Sequence, residues 1–338
     1  MALANYVERF LPQIEIELKT IVDLAGGPGM EVYRQMLAYH MGWEGKGAGP
    51  AATGKRLRPL LTLIACEAAG GDARKAQPAA AGVELIHNFS LIHDDIQDNS
   101  LLRRGRETVW VRWGLAQAIN AGDAMFTLAW LSGPRLLDLG VPADTVLAVT
   151  NTLATALLRI TQGQHLDMAF EARNQVSVQE YIGMIGGKTA QLVSAAIVVG
   201  ALVAGAPEQA VEAYRAFGYQ LGLAFQIQDD LLGIWGEPET TGKSAASDLS
   251  TRKKSLPVVF GSQQSQAFAQ RFSAAPLEGE DLTPLLATLE AVGADEYAHA
   301  QARHCTEQAL AHLEAAHPIS EAGDALRELA AQLIGRKL

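Results

Sequence analysis

The sequence predicts an all-α protein, a single-domain bundle of ten or more helices spanning residues 1–338. Three observations carry that expectation. Hydrophobic residues make up 49% of the chain, ample for a sizeable core and wrong for a disordered chain. Alanine and leucine abound, and the alternation of a half-buried strand is nearly absent. Helical periodicity recurs along the whole length with short breaks.

The breaks fall at Gly42–Gly54 (GWEGKGAGPAATG) and near Gly114, Pro142, Gly186, Pro207, Pro238 and Pro276. None is long enough for a linker, and there is no repeat or low-complexity segment. The Gly-rich stretch 42–54 reads as a mobile loop leading into a basic cluster. The N-terminus carries charges throughout and has no signal-peptide core. Ala190–Pro207 is uncharged and almost long enough to span a bilayer. It holds Gln191, Ser194 and many small residues and has no partner span, so it reads as a buried central helix, apolar all round. The formal charge of −10 argues against a nucleic-acid surface. Cys66 and Cys305 have no metal-type spacing and read as reduced core thiols of a cytoplasmic protein.

Charge is concentrated in SLIHDDIQDNSLLRRG, Ser90 to Gly105. From Val83 to Asp98 the pattern is helical, with Leu85, Phe89, Ile92 and Ile96 on one stripe and His87, Asp94 and Asp98 on the opposite face. Carboxylates one turn apart destabilise a helix by roughly 0.2–0.5 kcal/mol in water, and more when sheltered. A cation removes that cost, and Mg²⁺ suits the spacing because it takes one or two carboxylates and fills its shell with water and phosphate oxygens. A solvated acidic face is the plain alternative. The apolar surroundings count against it, as do Arg103 and Arg104, which can hold phosphate. Aspartates and arginines are both expected to address phosphate rather than each other.

A second helical run, YRAFGYQLGLAFQIQDDLLGIWG, carries Gln226, Asp229 and Asp230, with Gln226, Asp229 and Gly233 on one face. Two facing acidic helices could clamp a diphosphate through metal ions. Basic residues recur beside them: Lys55, Arg56 and Arg58 in GKRLRP, Lys188 with Thr189 in IGGKTA, and Lys243, Arg252, Lys253 and Lys254 in TGKSAASDLSTRKKSLP. Each cluster alone reads as a solvated surface; together with the acids they suggest a site for several phosphates and divalent ions.

With these motifs in this order, together with GQHLD, the chain resembles the trans-isoprenyl diphosphate synthases, the polyprenyl synthetase family, and the short-chain geranylgeranyl and farnesyl types within it. The resemblance implies a helical bundle around a central apolar cavity, usually a homodimer. It implies Mg²⁺-dependent head-to-tail condensation of isopentenyl diphosphate with an allylic diphosphate. Asp94, Asp98 and Asp229 resemble the magnesium ligands, with Asp95 and Asp230 in support and about three ions per loaded site. Lys55, Arg58, His87 and Arg104 resemble the isopentenyl diphosphate pocket. Arg103 resembles the residue holding the allylic diphosphate, lined further by Lys188, Thr189, Gln226, Lys243 and Lys253. Asp167 matches an acidic residue near the metals. The roles assigned to the acids, Arg103 and Lys188 are catalytic.

One position departs from the family pattern: Gly233 stands where a third aspartate is usual. Asp229, Gly233 and Glu237 then resemble a loose form of the second metal motif of class I terpene cyclases. A cyclase needs no isopentenyl diphosphate pocket, and Lys55, Arg58, His87 and Arg104 are all present. A non-catalytic partner subunit would tend to lose its aspartates, and the first motif is intact. Chain length in the family follows the residues five and four before the first aspartate, here Phe89 and Ser90. A lone aromatic there resembles the geranylgeranyl (C20) type, with farnesyl (C15) as the alternative.

Overall fold

A computed structural model describes residues 2–236, 246–273 and 282–334. It is built almost wholly of helices, in the order α1 (Ala2–Val22), α2 (Glu31–His40), α3 (Pro50–Thr53), α4 (Leu57–Ala68), α5 (Ala73–Gln97), α6 (Val109–Trp113), α7 (Leu115–Asp138), α8 (Ala143–Glu171), α9 (Val178–Ile185), α10 (Gln191–Val203) and α11 (Glu208–Trp235). After these come α12 (Ser247–Ser250), α13 (Leu256–Gln264), α14 (Gln266–Ser273), α15 (Thr283–Ala291), α16 (Ala294–Ala315) and α17 (Ser320–Ile334). Among the described residues the sole strands are the antiparallel pair β1 (Leu102–Arg103) and β2 (Arg106–Glu107). The all-α expectation holds.

Close contacts divide the chain into two compact units. One comprises Met1–Ala154, Ala195–Glu212 and His317–Leu326; the other comprises Thr155–Ser194, Ala213–Ala316 and Arg327–Leu338.

In the first unit, α5 starts at an N-cap, Asp72, whose carboxylate accepts the Arg74 N–H at 3.0 Å. This helix packs antiparallel on α7 through small residues. A Cβ at Gly82 would stand 2.5 Å from Ser132 Oγ, and one at Gly122 would stand 2.2 Å from His93 Nε2. Glycine at both ends of the crossing lets the two backbones approach. Of the expected stripe, Leu85 and Ile92 are buried, while Phe89 and Ile96 are half-buried.

The stretch Gly42–Gly54 is anchored rather than open. The Arg106 guanidinium donates to the carbonyls of Tyr39 at 2.9 Å, Glu44 at 2.6 Å and Lys46 at 3.1 Å. It also stacks 4.0 Å over the Tyr39 ring.

The helical run Val178–Val203 has the length and apolarity to cross a membrane, and 72% of its most apolar window is buried inside the fold. Leu192, Ile197, Val198 and Val199 are all but inaccessible, as a core helix requires. Gly186 does not break this run, against the sequence reading. A π-helical turn, Gly186–Ala190, carries α9 into α10 without interruption. The breaks at Gly114, Pro142 and Pro207 stand; Pro238 and Pro276 lie outside the described residues.

In the second unit a core of Ile234, Leu249, Val258, Phe268, Phe272, Leu285 and Leu289 joins the end of α11 to α12, α13, α14 and α15. The segment after α11 is thereby fixed at Leu249, which is fully buried.

Gly200 of α10 supplies a test of packing in the first unit. A Cβ there would lie 2.2 Å from the Thr62 carbonyl oxygen and 2.9 Å from Cys66 N, both backbone atoms of α4. Gly200→Ala should destabilise the protein by about 1–3 kcal/mol through overpacking, read as a lower urea midpoint at unchanged slope.

Candidate active site

The first unit places three acids at the C-terminal end of α5. Asp94 is half-buried, Asp95 buried and Asp98 exposed, and Asp98 caps the helix through its N–H to Asp94 O at 2.8 Å. The C-terminal end of a helix carries partial negative charge, so acids there are disfavoured unless a cation joins them.

Beyond the helix, Arg104 and Gly105 both take positive φ and form the two-residue turn between β1 and β2. The strand pair swings Arg103 back onto α5. Its Nε donates to Asp95 Oδ1 at 2.7 Å, and its Nη2 lies 2.7 Å from the same oxygen. This corrects the expectation that aspartates and arginines do not pair. Asp95 is buried behind Asp94, and a buried carboxylate needs a cation.

The basic residues of GKRLRP divide by role. Arg56, with φ 46°, is buried and bonded to Glu15 Oε1 at 2.7 Å, Glu84 Oε1 at 2.9 Å and the Met41 carbonyl at 3.0 Å. It anchors the backbone between Lys55, which is exposed, and Arg58. Arg58 Nη1 lies 3.3 Å from His87 Nε2. The His87 imidazole is held well below its usual range by burial and by Arg58, Arg104 and Arg103, so it is neutral and can accept that bond. Arg104 Nη1 donates to Ala52 O at 2.8 Å and lies against Gly54, where a Cβ would meet Arg104 Cζ at 2.6 Å. Arg58, His87, Arg103 and Arg104 thus share one electrostatic environment, next to the Gly54–Lys55 backbone.

Phe89 turns its ring to His93 at 4.9 Å and Phe126 at 5.5 Å, and Phe126 meets Trp130 at 5.8 Å. Ser90 Oγ donates to its own helix at His87 O, 2.8 Å away.

In the second unit Asp230 is fully buried. Its Oδ2 accepts from the Tyr181 hydroxyl and from Leu256 N at 3.1 Å, and its Oδ1 accepts from Gln226 Nε2 at 3.1 Å. Burial and neighbouring Asp230 hold the Tyr181 phenol far above its usual range, so it remains a donor. Gln226 Oε1 in turn accepts from Thr189 Oγ1 at 2.9 Å. Lys188 pairs with Asp167. Gly163 makes this possible: a Cβ there would lie 2.3 Å from Lys188 N, so α8 can approach the π turn only with glycine. Lys254 clips the end of α8 through the carbonyls of Phe170 and Arg173. Beside it, Lys253 Nζ sits 3.8 Å from Asp230 and 3.7 Å from Asp248. Burial works against the Lys253 charge, and Asp230, Asp248, Asp167 and Asp229 more than offset it, so its ammonium is raised above the usual range.

Each unit therefore gathers its own expected residues. Lys243 and Glu237 lie outside the described residues. Sequence reasoning overlooked Tyr181, which carries no motif signal, and Asp248, which stands in the quoted TGKSAASDL but was passed over for the lysines. It also missed His40. Burial and the fields of Arg103, Arg104 and Arg56 hold its imidazole well below the usual range, and its Nε2 is buried without a hydrogen bond. His40 lines a cavity of about 20 Å³ together with Asp95, Arg103 and Arg104, room for one water.

An all-α fold whose acidic helices sit among arginines and lysines can hold phosphate groups, the bases directly and the acids through cations. The chain belongs to the polyprenyl synthetase family, whose model matches residues 49–282. It is 42% identical over 287 residues to the (2E,6E)-farnesyl diphosphate synthase of Mycobacterium tuberculosis, covering 82% of this chain and 79% of that protein. With that organism's geranylgeranyl diphosphate synthase it shares 43% identity over 226 residues, 66% of this chain and 63% of the relative. Its fold matches that of a polyprenyl synthetase from Streptomyces coelicolor A3(2) with a TM-score of 0.90 and 35% identity, over 98% of this chain and 99% of that one.

Asp95 gives the first unit a pH signature. Burial pushes its carboxyl up to about 6 against the pull of Arg103, from an ordinary 3.8. The folded chain then holds this proton to higher pH than the unfolded chain, so stability is lost as pH rises from about 4 to about 6, by at most about 3 kcal/mol. Asp95→Asn should remove that slope. Urea denaturation of both proteins from pH 4 to 8 should show their stability difference moving in the variant's favour up to about pH 6 and staying constant above about pH 7.

Proposed function

We propose that this short-chain trans-prenyl diphosphate synthase condenses isopentenyl diphosphate with an allylic diphosphate and releases geranylgeranyl diphosphate. The observation that carries this reading is the clustering of Arg58, His87, Arg103 and Arg104 beside the acidic end of α5. A cyclase that ionises one prenyl diphosphate has no use for a second diphosphate pocket. A lone glycine at 233 in a chain with this pocket intact does not favour one.

The acids fit magnesium. Asp94 and Asp98 stand one turn apart, and Asp229 lies half-buried on α11. Among the described residues no three His, Cys, Asp or Glu side chains converge as a ready-made metal centre. Magnesium takes one or two carboxylates and completes its shell with diphosphate oxygens and water. Asp94, Asp98 and Asp229 would hold about three ions per loaded site. Bound there, magnesium supplies positive charge to the diphosphate that departs as the allylic C–O bond ionises.

The side chains do the rest. Lys188, Thr189, Gln226, Lys243 and Lys253 serve the allylic diphosphate with Arg103 and offset the charge it gains on leaving. Lys55, Arg58, His87 and Arg104 hold isopentenyl diphosphate so that its double bond meets the allylic cation. The new carbon–carbon bond leaves a tertiary cation, which loses a proton to the released pyrophosphate. Apolar walls keep water from both cations. Phe89, backed by Phe126 and Trp130, closes the space for the growing chain in this reading.

The chain works as one catalytic domain over 1–338, as a homodimer in the cytoplasm. Two buried thiols not joined in a disulfide, Cys66 and Cys305, support a reducing compartment; burial pushes them up to about 12 and about 11, which keeps them inert. The 42% identity to a farnesyl diphosphate synthase favours a C15 product as the second reading.

Incubation with Mg²⁺, isopentenyl diphosphate and each of the C5, C10 and C15 allylic diphosphates, followed by chromatography, tests the assignment. Accumulation of C20 from all three primers is expected. Arrest at C15 would install the second reading, and a cyclic hydrocarbon from an allylic substrate alone would replace both.

Asp94→Ala should lower kcat by about 10³-fold or more, since it removes several kcal/mol of charge stabilisation, with an unchanged circular dichroism spectrum. Phe89→Ala should lengthen the product in a fully active enzyme. An unaltered chain length would remove Phe89 from the floor.

A further inference from the structure

Gly42, Gly45, Gly47, Gly49 and Gly54 all take positive φ, so the stretch between α2 and α4 is costly to order. Glu15 closes its base: Oε2 accepts from Trp43 Nε1 at 2.6 Å and Oε1 accepts from Arg56 Nε at 2.7 Å. Arg106 holds its far side. The guanidinium donates from Nη1 to Tyr39 O at 2.9 Å, from Nη2 to Glu44 O at 2.6 Å and from Nε to Lys46 O at 3.1 Å. A fork that meets several carbonyls at once is open to a guanidinium and not to an ammonium. Glycine makes room for it. A Cβ at Gly45 would stand 2.8 Å from Tyr39 Cδ2 and 3.2 Å from Arg106 Nη2, and one at Gly47 would stand 3.5 Å from Arg106 Cγ. The contact is mutual, because the Tyr39 hydroxyl donates to Glu107 O at 2.8 Å. The far end of the stretch reaches Arg104. A Cβ at Gly42 would lie 2.5 Å from Ala52 C, Ala52 O accepts from Arg104 Nη1, and Gly54 lies against the Arg104 guanidinium.

We propose that Arg106 is a positioning residue for isopentenyl diphosphate, which it serves by keeping the stretch 42–54 folded before substrate arrives. The proposal rests on the reading of Lys55, Arg58, His87 and Arg104 as the pocket for that substrate. The arginines of the hairpin divide the work. Arg103 turns to Asp95 and Arg104 to Ala52 O, while Arg106 directs its donors at the backbone of 39–46. Without the Arg106 clamp the stretch opens, and Gly54, Lys55 and the rest of Arg104 on Ala52 lose their fixed places. Arg58 and His87 keep theirs, because Glu15 and Glu84 still hold Arg56. Substrate must then order the stretch as it binds. A stretch that is competent about 1–10% of the time lowers apparent affinity about 10–100-fold. Once substrate is bound the stretch is folded again, so the rate at saturation is unchanged.

Steady-state kinetics of the full chain gives KM for each substrate with the other saturating. Arg106→Met keeps the stem beneath Gly47 and removes every donor. It should raise KM for isopentenyl diphosphate about 10–100-fold, with kcat and KM for the allylic diphosphate within about 2-fold of wild type. Arg106→Lys loses the fork and should fall between the two proteins; it decides the matter if Arg106→Met does not fold, and a wild-type KM in it would then overturn the proposal. Hydrogen exchange of the amides of 42–54, read by mass spectrometry without substrate, should be faster in the variant and should slow to the wild-type rate on addition of isopentenyl diphosphate. An unchanged KM, unchanged exchange, or an equal rise in both KM values with a fall in kcat would overturn the role of Arg106. Lys55→Ala is the control for the pocket and should raise the same KM. If it raises KM for the allylic diphosphate instead, the pocket assignment fails rather than the clamp.

Discussion

Asp230 has no exposed surface, and three hydrogen bonds from three different segments meet on it. An ionised carboxylate in that position costs several kcal/mol unless donors surround it, so the donors cannot drift. Tyr181 fixes α9 and, through the unbroken helix, the π turn with Lys188 and Thr189. Gln226, one turn earlier on the same helix as Asp230, is held by it and accepts from Thr189 Oγ1, which ties α11 to the π turn. Leu256 N fixes the start of α13 and with it the strand of chain that carries Lys253. Asp230 thus ties together the segments that carry Lys188, Thr189 and Lys253. Arg56 has the same place in the first unit, where Glu15, Glu84 and the Met41 carbonyl hold it between Lys55 and Arg58.

The same logic explains why the acids come as doublets. At 100° per residue, neighbours on a helix face different surroundings. Asp94 and Asp229 are half-buried, while Asp95 and Asp230 are 1% and 0% exposed. The inner member of each pair is tied down, by Arg103 in one case and by Tyr181, Gln226 and Leu256 N in the other. Each inner charge orients the backbone that carries the outer one. An Asp-Asp pair in an apolar helix then has one buried anchor and one half-buried member, which makes it more informative than two acids a turn apart.

Much of this was legible in the sequence because it depends on residue type and spacing. Helical periodicity announced the fold, and the acid, arginine and lysine motifs announced which side chains would gather. What could not be read was which member of each charged set is buried. Arg56 and Arg58 look alike as letters, and so do Asp229 and Asp230; burial depends on contacts distant in sequence, such as Glu15 with Arg56. Gly186 was misread for a related reason. A glycine pair weakens a helix locally, but here glycine also permits close approach. A Cβ at Gly187 would lie 2.8 Å from the Arg159 carbonyl, and one at Gly186 would lie 2.3 Å from the Tyr219 hydroxyl. Packing repaid more than propensity cost.

The π turn shows what that packing is for. A turn with one extra residue shifts the side chains after it around the helix axis. A regular α-helix from Val178 to Val203 would have to place Lys188, Thr189 and the apolar residues from Leu192 onward in one continuous register. Those apolar residues need the core, while Lys188 needs Asp167 and Thr189 needs Gln226. The extra residue separates the two demands, and Gly163 on α8 gives the widened turn room. The uncharged stretch that could pass for a membrane span and the lysine that pairs with Asp167 are therefore two ends of one continuous helical run. The core half holds the helix still, and the irregular turn spends that rigidity on aiming Lys188.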